Sequence, residues 1–202
     1  DPGPAIALFE ELAREHPKSP RLGEARVGQG HSLRLQAKFE EALAVYAAVA
    51  TITPPPPTEV LAMAQIGEAD CHYRLASSDP KRYARAAAIY EEVLSEESLR
   101  QTRPDLIHEA GWKKGQTLEK AGRTPEALEA FTDIVYGRLI AHSPPAQPAI
   151  PEYHWFGKAA SDATRLLEAQ GDWAGALSVY RLAESLGGPD SNAWRTRRLK
   201  LQ

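Results

Sequence analysis

The chain is predicted to be all-α, built from antiparallel helical hairpins, and three observations predict it. In the stretch 111–136, Gly115 and Leu118 lie three apart on one helical run and Ala127 and Phe131 four apart on a second, with Gly122-Arg123-Thr124-Pro125 breaking the chain between them. Small residues let two helix backbones approach, and an aromatic four residues after the alanine fills the space beside that contact. The same arrangement recurs as Gly30/Leu33 with Phe39, Ala42 and Tyr46, as Ala69/His72 with Tyr83, Ala86 and Tyr90, and as Thr164/Leu167 with Trp173, Ala176 and Tyr180. Composition agrees: 43% hydrophobic residues led by alanine, 25% charged and only 7% aromatic suit packed helices better than sheets.

Taken in order, residues 3–16 form an amphipathic helix with Ala5, Phe9 and Leu12 in line and Pro17 just beyond its end. These are second-helix positions, so a half repeat occupies 1–17, and its apolar flank is expected to be covered by chain preceding Asp1. Ser19-Pro20 supplies an N-cap and a first-turn proline for a helix running to about Gln36, which opens a hairpin over about 19–52. Pro54–Pro57 is a stiff polyproline II spacer before a hairpin over about 58–95, whose inner turn Ser77-Ser78-Asp79-Pro80-Lys81 carries about five extra residues. A hairpin over about 103–138 is entered near Pro104, and a second proline-rich link, 143–151, leads to another over about 151–187. A C-terminal helix over 189–202 carries Trp194 and the basic Arg195–Arg198. All of these belong to a single repeat domain, 1–202.

Charge and cysteine content narrow the function classes. The 24 basic and 27 acidic residues are interspersed and leave a net charge of −3, so no long-range field steers the surface toward nucleic acid or acidic lipid. The single cysteine, Cys71, excludes an intrachain disulfide and a multi-cysteine metal site. No apolar run approaches the roughly 20 residues needed to span a bilayer, so membrane insertion is not expected. Neither observation fixes the compartment.

The candidate chemical motifs dissolve on inspection. Gly111-Trp112-Lys113-Lys114-Gly115-Gln116-Thr117 has the flavour of a phosphate loop, but no Lys-Ser/Thr follows the second glycine and no strand precedes it. Gly28-Gln29-Gly30 lies inside a helix and not after a strand, which excludes a dinucleotide fingerprint. His16, His31, His72, His108, His142 and His154 are dispersed without zinc-ligand spacing. His72 beside Cys71 is no thiol–base pair, because adjacent helical residues point about 100° apart. The acidic pairs Glu10-Glu11, Glu40-Glu41, Glu91-Glu92 and Glu96-Glu97 read as solvated outer faces. No catalytic residue, metal ligand or cofactor site is therefore assigned, and an enzyme is not expected.

The hairpin pattern resembles the tetratricopeptide repeat, whose signature places Gly-x-x-Tyr/Leu on the first helix and Ala-x-x-x-Phe/Tyr on the second. The resemblance implies a right-handed superhelical solenoid of about four and a half repeats and about ten helices. The key alanines stand at 5, 42, 86, 127 and 176, in steps of 37, 44, 41 and 49, every one longer than the family period of about 34. The glycine- or threonine-to-alanine distance stays at 12 from Gly30, Gly115 and Thr164, so the excess falls between those hairpins and not within them.

In that family the first helices line a concave groove that takes peptides or extended segments of other proteins. Carried over, the groove positions are Val27, His31, Arg34, Ile66, Asp70, Tyr73, Arg74, Trp112, Gln116, Glu119, Lys120, Ser161, Arg165 and Glu168, with Trp112 and Tyr73 as anchors. Trp112 and Ile66 also fit inter-repeat core, and both readings stay open at this point. His31 and Asp70 stand where a chaperone-tail carboxylate clamp needs asparagines, which excludes that subgroup.

The run LFEELAREHPKSP and the segment after it look like bacterial envelope proteins with these repeats, such as the Tol-Pal-associated factor and outer-membrane assembly lipoproteins. The resemblance thus implies a non-enzymatic scaffold for a protein or peptide segment, part of a larger bacterial protein of the cytoplasm or periplasm. The rivals are a periplasmic envelope-assembly component and a regulatory arm of a multidomain enzyme. A helical-repeat nucleic-acid binder would need a basic groove and is disfavoured by the mixed charges.

Overall fold

The structure is a computed structural model that describes residues 2–140, 150–186, 188 and 190–201. The proline-rich link expected over 143–151 lies almost wholly outside the described residues, as does Pro189. Among the described residues there are eleven α-helices and no strand. The chain divides into two compact units, residues 1–99 and 100–202, with the boundary inside one short helix.

The first unit holds α1 (Pro2–Glu15), α2 (Leu22–Leu35), α3 (Phe39–Val49), α4 (Thr58–Leu75) and α5 (Lys81–Leu94). Helices α2 and α3 form one hairpin and α4 and α5 the next, while α1 packs on α2 as a second helix without its first. The aromatic side chains of the second helices fix these contacts. The Tyr46 ring on α3, only 3% exposed, lies against bare backbone on both α2 and α4. A methyl on Gly30 would come within 2.6 Å of that ring, and one on Gly67 closer still. Phe9 on α1 covers Gly28 in the same way, at 2.6 Å. The two glycines of Gly28-Gln29-Gly30 thus serve opposite neighbours, one behind and one ahead.

The second unit holds α7 (Pro104–Lys120), α8 (Thr124–Val135), α9 (Ile150–Ala169), α10 (Trp173–Ser185) and α11 (Ser191–Lys200), paired as α7/α8 and α9/α10 with α11 packed on α10. Phe131 on α8 lies over Gly115 on α7, where a methyl would meet its ring at 2.5 Å, and Gly111 is covered by Leu139. The glycines of the apparent phosphate loop are therefore helix-contact residues. Fully buried alanines, Ala127, Ala160, Ala163 and Ala176 among them, bring the helices close.

Three hairpin turns share one geometry. Lys38 N–H donates to the Leu33 carbonyl at 3.0 Å and Ala37 N–H to Arg34, also at 3.0 Å. Arg123 and Gly122 repeat this pair of bonds toward Leu118 and Glu119, and Asp172 and Gly171 toward Leu167 and Glu168. This is the Schellman ending, in which the residue after the C-cap takes a left-handed conformation. Gly122 and Gly171 do so at φ 78° and 75°, as glycine permits, whereas the first turn places Ala37 there at φ 59°.

Two sequence expectations need adjustment. Helix α2 starts at Leu22 and not at Ser19-Pro20: Ser19 closes a preceding turn, accepting from Leu22 N–H on its carbonyl and from Arg21 N–H on its Oγ, and Arg21 holds the N-cap position. A short helix α6 (Glu97–Thr102) lies between the second and third hairpins and inserts Leu99 into the core, 1% exposed. The proline spacer itself packs on the first hairpin: Pro56 lies on Gly23, where an added methyl would come within 3.0 Å of it. Pro57 keeps the extended φ −53°, ψ 149° of polyproline.

Candidate functional site

In the first unit the predicted groove residues fall on α2 and α4, which are neighbours. Arg34 on α2 donates to one carboxylate oxygen of Asp70 on α4, and the Tyr90 hydroxyl from α5 donates to the other at 2.6 Å. His31 sits one turn before Arg34, its Nδ1 3.4 Å from the guanidinium. Tyr73 is half-buried and meets Tyr83 of α5 edge-on at 5.8 Å, while Arg74 is exposed. Ile66 is only 5% exposed and belongs to the core, which decides between its two readings. Val27 borders a buried cluster that includes Leu33, Tyr46 and Val60.

In the second unit the corresponding residues fall on α7 and α9, again neighbours. Arg165 on α9 grips Glu119 on α7 through two parallel hydrogen bonds of 2.8 and 2.7 Å and reaches Asp162 at 3.1 Å. The hydrogen bonds to Glu119, more than any other influence, push the Arg165 pKa upward, so its charge is permanent. This bridge joins the same two repeat positions as Arg34 and Asp70, with the charges exchanged. Glu168 accepts from the Tyr180 hydroxyl at 2.6 Å, and burial followed by that bond raises the tyrosine's pKa. Gln116 is half-buried and Lys120 exposed on the same helix.

Trp112 is held from several sides. Its indole N–H donates to Asp162 at 2.9 Å, its ring lies 5.4 Å from that of Trp155, and the Lys158 ammonium sits 4.3 Å above it. It is half-buried and fastened between α7 and α9. Trp155, Lys158 and Asp162 were not among the sequence-predicted residues. Their spacing along α9 with Arg165, a stripe one turn apart each time, was the available signal.

Cys71 is fully buried and burial pushes its thiol up to about 11, far from a nucleophile. His72 is half-buried and 3.9 Å from Glu68, and burial, then Arg82 and Arg85, lower its pKa. No group of three or more metal-ligating side chains stands together among the described residues, and no described helix is long and apolar enough to cross a membrane.

Residues 1–57, spanning α1, α2 and α3, match the family model of the tetratricopeptide repeat. That part of the chain has the tetratricopeptide pattern. No curated protein sequence matches it. A crystal structure of a thermophilic tetratricopeptide-repeat protein from Thermus thermophilus superposes with a TM-score of 0.53 over 97% of this chain and 88% of that one, at 16% identity. At that identity the likeness concerns the fold of the repeats. The stacking of hairpins within each unit explains why the paired residues recur: neighbouring first helices lie side by side, so the position after the small residue on one meets the position four after it on the other.

Proposed function

We propose that this chain is a non-enzymatic interaction scaffold that holds an extended segment of a partner protein against its first helices. The observation that carries the reading is the cross-linking of side chains between neighbouring first helices within each unit. Arg34–Asp70 in one unit and Glu119–Arg165 with Trp112–Asp162 in the other are already tied by hydrogen bonds. A surface ordered in advance loses less side-chain entropy on binding, and half-buried aromatic rings such as Trp112 and Tyr73 supply contact area. His31 and Arg74 complete the proposed face of the first unit, and Gln116, Lys120 and Glu168 that of the second, each mixed in charge as a peptide with both polar and apolar side chains would require.

The test is a pull-down from lysate in which wild type is compared with variants that leave the internal bridges intact, Tyr73→Ala with Arg74→Glu in the first unit and Gln116→Arg with Lys120→Glu in the second. A partner held by wild type and lost by either pair, with unchanged circular dichroism, supports the reading. Equal capture by all three proteins would refute use of these faces.

A further inference from the structure

Most basic side chains of the second unit that have described ionic partners meet carboxylates: Arg123 meets Glu126, Arg138 meets Asp133, Arg165 meets Glu119 and Asp162, and Arg195 and Arg198 meet Glu184. Two others are held by aromatic faces. The Lys158 ammonium lies 4.3 Å from the Trp112 ring and 4.7 Å from the Trp155 ring. The Arg197 guanidinium lies 5.9 Å from the Trp194 ring and beside the Tyr180 hydroxyl. An aromatic face orients a cation without cancelling its charge.

Both cations line one cleft of about 380 Å³ between α9 and α11, together with His154, Ser161, Asp190 and Trp194. The cleft therefore combines two oriented positive charges, an indole wall, a hydroxyl and a single carboxylate. A small inorganic anion would answer the two cations but would put a like charge beside Asp190 and offer its carboxylate no donor. A peptide carries carboxylates for the cations and backbone N–H groups for Asp190 and Ser161, and its carbon skeleton can lie on Trp194.

We infer that the cleft between α9 and α11 binds an acidic peptide segment, whose side-chain carboxylates are taken by Lys158 and Arg197 while Asp190 accepts a backbone N–H. The inference rests on the interaction-scaffold reading and names the chemistry of the partner at one end of the second unit.

The probe is a fluorescein-labelled, C-terminally amidated peptide of alternating glutamate and leucine, followed by fluorescence anisotropy on the whole chain. The acidic peptide binds, and a matched lysine–leucine peptide does not. Lys158→Gln and Arg197→Gln each weaken binding about tenfold, the scale of one charge-assisted hydrogen bond, while Lys158→Arg retains it and Arg14→Gln, an exposed residue of the first unit outside the proposed face, leaves it unchanged. Unchanged thermal melting of each variant shows that the fold is kept. The inference is overturned if the lysine peptide binds as well, if both glutamine variants bind like wild type, if binding needs a free terminal carboxylate, or if single-stranded DNA displaces the peptide at the same sites. Should an unbiased peptide library select only neutral sequences that Tyr73→Ala releases, the acidic-segment inference falls and the scaffold reading stands. Should no peptide in the library bind, both fall.

Discussion

Arg34 on α2 donates to the carboxylate of Asp70 on α4, bridging the first helices of two successive hairpins. The side chains are 23% and 15% exposed, and Asp70 also accepts from Tyr90. Asp70→Asn keeps an oxygen for the tyrosine but leaves the guanidinium without its counter-charge in a partly dry site, and is expected to cost about 1–3 kcal/mol. The matching pair in the second unit, Glu119–Arg165, has its arginine 51% exposed, so Glu119→Gln should cost no more than about 1 kcal/mol despite better hydrogen-bond geometry. Chemical denaturation of the two variants checks this, and equal losses would show that burial does not set the worth of the bridge.

Tyr46 cannot yield to a methyl group at Gly67. Its ring is wedged between Gly30 and Gly67, so moving away from one glycine drives it onto the other. Gly67→Ala should therefore destabilise by about 1–3 kcal/mol through overpacking, outweighing the gain of about 1 kcal/mol in helix propensity. Gly157→Ala on α9 is the control, because its methyl would meet only Asp190 at 3.8 Å, and it should stabilise by up to about 1 kcal/mol. Adding Tyr46→Leu to Gly67→Ala should recover part of the loss, a coupling that a double-mutant cycle measures directly.

Ala37 occupies the left-handed position that Gly122 and Gly171 fill in the equivalent turns. A β-carbon in that region costs on the order of 1–2 kcal/mol, partly offset because glycine loses more freedom on folding. Ala37→Gly is thus expected to raise stability by up to about 1 kcal/mol, while Gly122→Ala should lower it by a similar amount. Thermal melting of both variants settles the comparison, and a destabilised Ala37→Gly would mean the turn carries no strain.

The hairpins were legible because their signal is local: Gly30 with Leu33 and Ala42 with Tyr46 are separated by one helical turn, and Pro104 and Pro125 mark helix starts. Helix α6 was not legible, since six residues with one apolar side chain, Leu99, show no period. The bridges of the candidate site were illegible for a different reason. Arg34 and Asp70 meet only through the register between hairpins, and the unequal spacing of the key alanines gives no means of fixing that register from sequence. The carry-over placed Trp112 correctly on a first helix, but its partners Trp155 and Lys158 became visible only once α7 and α9 lay side by side.

His108 on α7 is 3% exposed, and both of its ring nitrogens are buried without a hydrogen-bond partner among the described residues. Burial lowers its pKa from 6.5 to about 4, although Asp105 one turn earlier pulls the other way. The sign follows from linkage: between those two values the unfolded chain binds the proton and the folded chain does not, so stability falls as pH drops from 6.5 toward 4 and is level above that window. The loss across the window is roughly 3 kcal/mol. His108→Leu removes both the orphaned nitrogens and the titration, so the variant should be more stable at neutral pH by about 1–3 kcal/mol, and its lead should widen on acidification. Denaturation of the two proteins at neutral pH and near the lower end of the window measures both effects. A lead that stays constant would mean the folded protein protonates His108 as readily as the unfolded chain does, and would overturn the reading of a buried neutral ring.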